Sequence, residues 1–75
     1  MEKINFFKMV IEAEMVESGK GLTETVEAVA EWVGVGKSAA WSWWTGARSP
    51  SAAARKLLRL RADLPQDLRE KVELL

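Results

Sequence analysis

The chain contains no cysteine and no histidine among its 75 residues. Without cysteine there is no disulfide, no thiolate nucleophile and no thiolate-held zinc. Without histidine the usual metal ligand is missing, as is the usual general acid or base near neutral pH. Apolar runs extend only a few residues, far short of the roughly 20 that a membrane-spanning helix needs. The N-terminal stretch does not read as a signal peptide, because Glu12, Glu14 and Glu17 interrupt what would be its apolar region. Carboxylates are present, but no paired set stands apart from solvated helix faces. These absences predict a cytoplasmic protein that is not an enzyme, with no cofactor, no metal and no membrane partner.

What is present suits one small soluble unit. A chain of 75 residues holds a single domain, 1–75, and a chain this short buries only about 60% of its unfolded surface. Hydrophobic residues make up 48% and charged residues 29%, an ordinary globular composition. The 11 basic and 11 acidic side chains cancel, but they are segregated. Residues 1–35 carry three lysines against seven glutamates, a net of −4, and residues 36–75 carry eight bases against four acids, a net of +4. Residues 32–62 contain no acid at all, while Lys37, Arg48, Arg55, Lys56, Arg59 and Arg61 supply +6. Such a split is expected of a surface that meets a polyanion, or of a helix whose basic face is simply solvated.

No period-2 alternation of β-branched and polar residues occurs, so the expected fold is all-α: a compact bundle of about five short helices. The first runs over residues 3–18 and stops at Gly19. Ile4, Phe7, Ile11 and Met15 form one apolar stripe on it. Phe6, Met9, Val10, Ala13 and Val16 form a second, to be covered by the C-terminal segment or by a second chain. Thr23 is the expected N-cap of the next helix, with Glu24 and Glu27 near its positive end. Val26, Val29, Ala30 and Val33 are its buried face, and Gly34 ends it. A third helix starts near Lys37 or Ser38 and reaches Thr45 before Gly46. Ser49-Pro50 is expected to open the fourth, with Pro50 at its first position and Ala54, Leu57, Leu58 and Leu60 inward. Leu68, Val72 and Leu75 give a fifth.

Gly34-Val35-Gly36-Lys37-Ser38 has the ending of a phosphate-binding loop, G-x-x-x-x-G-K-[ST]. The first glycine is replaced by Glu31, whose carboxylate repels phosphate, and the preceding residues have a helical rather than a strand pattern. The segment reads better as a tight turn between two helices: Ala30 small at their closest approach, Gly34 reversing the backbone, Val35 plugging the turn, and Ala40 and Trp43 anchoring the second helix. These residues, with Gly46 and Pro50 completing a W-x-x-G-x-x-x-P run from Trp43, resemble the Cro and lambda-repressor-like helix-turn-helix regulators, often called the XRE family. The resemblance covers residues 22–60. It departs at Val26, where a phosphate-touching polar residue is usual. It departs also at Gly36, in place of Ser or Thr, at Ala40, in place of Val or Ile, and at Trp44, often Glu.

The resemblance implies a small sequence-specific regulator of transcription, a DNA-binding repressor of the phage or prophage kind, that places its third helix in the major groove of double-stranded DNA. Lys37, Ser38, Trp41, Ser42 and Thr45 would then face outward. Lys37 can bond guanine, and serine several base edges. Arg48 would reach the phosphate backbone, assisted by Arg55 or Lys56. A homodimer is expected, because one such unit reads only a short half-site. The second apolar sector of the first helix and Leu74-Leu75 are its candidate interfaces. Trp43 is expected in the core and Trp32 against the first helix. Trp41 can meet thymine methyls, form a protein-binding hot spot with Trp44, or pack at the edge of the core. That hot spot is the basis of the alternative reading, an antitoxin-like or inhibitor module that binds a protein partner.

Overall fold

The computed structural model describes residues 5–65. Among them are four helices and no strand: α1 Phe6–Ser18, α2 Leu22–Val33, α3 Lys37–Thr45 and α4 Ala52–Asp63. The expected fifth helix, on Leu68, Val72 and Leu75, lies outside the described residues, as does the candidate interface at Leu74-Leu75. α1 packs against each of the other three helices, and α2 against both α3 and α4.

Three helix starts differ from expectation. α1 begins at Phe6 rather than at residue 3, because extended Asn5 caps it: the Asn5 Oδ1 accepts from the Lys8 N–H at 3.0 Å. The same side chain turns its Nδ2 to the Trp43 and Trp44 carbonyls at 3.0 and 3.1 Å, tying the start of α1 to the end of α3. Thr23 does not cap α2. The helix starts two residues earlier with Gly21 at the cap, so that Leu22 packs on the core, and the Thr25 hydroxyl donates back to the Gly21 carbonyl at 2.8 Å. Burial of Leu22 therefore takes precedence over a side-chain cap, an exchange of similar magnitudes. Ser51, not Ser49, caps α4, its Oγ accepting from the Ala54 N–H at 3.1 Å. Pro50 thus precedes the cap instead of opening the helix.

The helix ends agree with the reading from sequence. Gly34 ends α2 at φ 88°, its N–H shared between the Ala30 and Glu31 carbonyls. The Val35 N–H then returns to the Ala30 carbonyl at 3.0 Å, and α3 begins two residues later. Only a glycine reaches such a φ without steric cost.

Phe7, Ile11, Val26, Val29, Ala30, Ala40, Trp43, Ala54 and Leu58 form the core, with contributions from all four helices. Phe7 meets Trp43 edge to face, ring centroids 5.4 Å apart, the orientation aromatic quadrupoles favour. Full burial of a side chain such as Phe7 or Leu58 stabilises by about 1.5–3 kcal/mol. Val10 joins the buried residues, whereas Met9 and Val16 stay exposed, so the second apolar sector of α1 is divided.

Leu60, expected inward, is 47% exposed, and Arg61 is buried in its stead. The periodicity explains the exchange. Arg61 follows Ala54 and Leu58 at i+7 and i+3, and Glu14 follows Phe7 and Ile11 at the same spacings. Each apolar stripe therefore ends in a charge, and the two meet: the Arg61 Nε donates to the Glu14 Oε1 at 2.8 Å. The Arg61 guanidinium also lies 5.1 Å from the Trp32 ring centroid, so Trp32 is engaged from α4.

Candidate functional site

Helical geometry puts Lys37, Ser38, Trp41, Ser42 and Thr45 on one arc of α3, about 140° wide at 100° per residue. Lys37, Ser38 and Thr45 are exposed, Trp41 and Ser42 half-buried, while Ala40 and Trp43 face the core. The outward face expected from the sequence is thus a single surface, on a helix held by Asn5 at one end and by the 34–36 turn at the other.

Its hydroxyls are not equivalent. The Ser42 Oγ donates to the Ala39 carbonyl at 2.6 Å, and the Thr45 Oγ1 donates to the Ser42 carbonyl at 3.2 Å. Both protons are committed to the helix, and the Thr45 Oγ1 also accepts from the Ala47 N–H at 3.4 Å, so what these oxygens still offer outward is acceptor capacity alone, less at Thr45. Ser38, with no such bond among the described residues, offers donor and acceptor alike.

The six cations of the acid-free stretch have separate fates. Arg61 belongs to the Glu14 pair and does not contribute to an outer basic surface. Arg59 lies over the Phe6 ring at 6.0 Å. Lys37 pairs with Glu27 of α2, Nζ to Oε1 3.4 Å, with the side chains 69% and 38% exposed. Arg48, Arg55 and Lys56 are exposed and pair with no carboxylate among the described residues. Arg48 follows α3 closely, its N–H bonded to the Ser42 carbonyl at 3.2 Å. Arg55 stands on α4, and no bond joins it to the α3 face.

Two tryptophans are explained by packing. Trp43 is in the core, and Trp44 is half-buried with the Lys8 ammonium 5.2 Å from its ring centroid. Trp41 is half-buried against the core at the margin of the outward face. Val26 is fully buried and is therefore not placed to touch a phosphate.

No protein-family model, curated protein or solved structure matches the chain. Among the described residues no cluster of three acidic, histidine or cysteine side chains could hold a metal ion, and no helix is long and apolar enough to cross a membrane. Glu27 is the one residue at this surface that the sequence reading did not place there. Its signal is the i, i+3, i+7 row of Glu24, Glu27 and Glu31 along α2, a helix without any basic residue.

Proposed function

We propose that the protein is a sequence-specific DNA-binding regulator of the Cro/repressor type, acting in the cytoplasm as a homodimer with α3 in the major groove and without cofactor or catalysis. The observation that carries this reading is the outward face of α3: Lys37, Ser38, Trp41, Ser42 and Thr45 on one helix surface, followed directly by exposed Arg48. A lysine and a free hydroxyl suit guanine and mixed base edges, acceptor hydroxyls suit the amino groups of adenine or cytosine, and an indole edge suits the thymine methyl. Arg48, with Arg55 and Lys56, supplies phosphate contacts that set orientation and affinity.

Fluorescence anisotropy on random-sequence duplex DNA at two salt concentrations tests it. Weak binding that salt reduces, and that Lys37→Ala with Arg48→Ala abolishes, supports the regulator. No binding at low salt would sink it.

One observation favours a second reading, the protein-interaction module. The Glu24, Glu27 and Glu31 row borders α3 through the Glu27–Lys37 pair, and carboxylates repel a phosphate backbone. If DNA fails, this row together with the Trp41 edge is the surface on which a cationic protein partner would be sought.

A further inference from the structure

We propose that Glu27 is a specificity-determining residue, an electrostatic gate that withholds Lys37 from phosphates and releases it to a base edge. The inference rests on the DNA reading above. Lys37 opens α3 at the edge of its outward face, and its ammonium lies 3.4 Å from the Glu27 carboxylate. α2 has no basic residue of its own, and exposed Glu24 and Glu31 flank Glu27 at i−3 and i+4. A phosphate that approaches Lys37 therefore also approaches the Glu27 carboxylate, 3.4 Å from the ammonium and well within a Debye length at physiological salt, on a helix whose other charges are also negative. A base edge carries no net charge. Guanine O6 and N7 offer the ammonium acceptors in place of the carboxylate without that repulsion. Lys37 is exposed and Glu27 half-buried, so the pair stays open to water and weak enough to exchange when a better acceptor arrives. Glu27 thus costs affinity for any duplex and costs least where the right base stands.

The experiment compares wild type, Glu27→Gln, Lys37→Gln and the double variant. The probes are a random-sequence duplex and the duplex that wild type enriches from a random pool, each titrated across a salt series. Glu27→Gln is expected to tighten random-duplex binding about two- to five-fold. It should steepen the salt dependence by about one counterion and narrow the ratio between selected and random duplex. In the Lys37→Gln background these changes should shrink to the direct repulsion of one carboxylate. The gate is overturned if Glu27→Gln leaves random-duplex affinity and salt slope unchanged, or if the tightening is undiminished without Lys37. Failure of every variant to bind any duplex at low salt overturns the DNA reading itself, and the gate with it. Neither side chain belongs to the core, so thermal midpoints should agree among the variants within about 2 °C. Glu27→Ala, which removes the same charge with a different shape, must repeat the result.

Discussion

At the residue scale the Glu14–Arg61 pair joins α1 to α4 at a place where both side chains are about nine-tenths covered, 9% and 10% exposed. Taking out one partner of such a pair costs much more than replacing both by apolar groups. Glu14→Ala is therefore expected to lower unfolding free energy by about 3–5 kcal/mol, read from urea denaturation. Glu14→Met with Arg61→Leu should lose clearly less than the sum of the two single changes. An additive double variant would show that the pair contributes no coupling. Asn5 gives a sharper test, because its two functions separate chemically. Its Oδ1 caps α1 and its Nδ2 holds the last carbonyls of α3. Aspartate keeps the cap but sets a carboxylate oxygen against two carbonyls at the negative end of a helix. Asn5→Asp, ordinarily a mild exchange at an N-cap, should thus cost at least as much as Asn5→Ala, about 1–3 kcal/mol. If Asp were tolerated as a simple cap, the tie to α3 would carry no weight.

At the element scale the turn between α2 and α3 depends on Gly34 by conformation alone. Its φ is 88° and a Cβ placed there would meet nothing within 4 Å. Gly34→Ala should cost about 1–2 kcal/mol from its own backbone conformation, with no clash against a neighbouring element, and Gly34→Asn should recover part of it, since asparagine tolerates this region best after glycine. Thermal melts of the two variants check both statements. Turns of this kind were legible in the sequence because a helix stop is a local event: Gly19, Gly34 and Gly46 all adopt the positive φ that their positions imply. The α2 and α3 core was legible for a related reason, since the spacing of Val26, Val29, Ala30, Ala40 and Trp43 alone states which face turns inward. Caps were not. Thr23 competes with Gly21, and Ser49 with Ser51, over two residues in each case, and the winner is set by tertiary packing, at α2 by that of half-buried Leu22. Arg61 was misread because a charge on an apolar stripe looks like its edge until its partner, 47 positions away, is known. Glu27 escaped for a related reason: its acidic row along α2 is visible in the spacing, but its pairing with Lys37 across the turn depends on how the two helices meet.

At the scale of the whole molecule, the burial of Val10 and the position of Arg59 over half-buried Phe6 reduce the proposed dimer surface on α1 to Met9, Ala13 and Val16, a ridge at i, i+4 and i+7. Val16 is 86% exposed, so a glutamate there adds charge to the ridge without disturbing the core. At Phe6 the same substitution would confound association with folding. If the ridge joins two copies, Val16→Glu should weaken self-association at least about ten-fold, equivalent to about 1.4 kcal/mol, while leaving the thermal midpoint of the dilute protein within about 1 °C. Light scattering that shows a monomer at high concentration, unchanged by Val16→Glu, removes this ridge as the interface. The charge distribution makes association matter for DNA as well. With zero net formal charge, and with Arg61 and Lys37 each held by a glutamate, one copy brings few unpaired cations to a duplex, so its affinity should be low and shallow in salt. Two joined copies double those contacts and read two half-sites. Val16→Glu is then expected to weaken binding to a selected palindromic duplex by a larger factor than binding to one half-site. Equal loss on both probes would mean that the ridge serves folding or solubility and that each copy meets DNA alone.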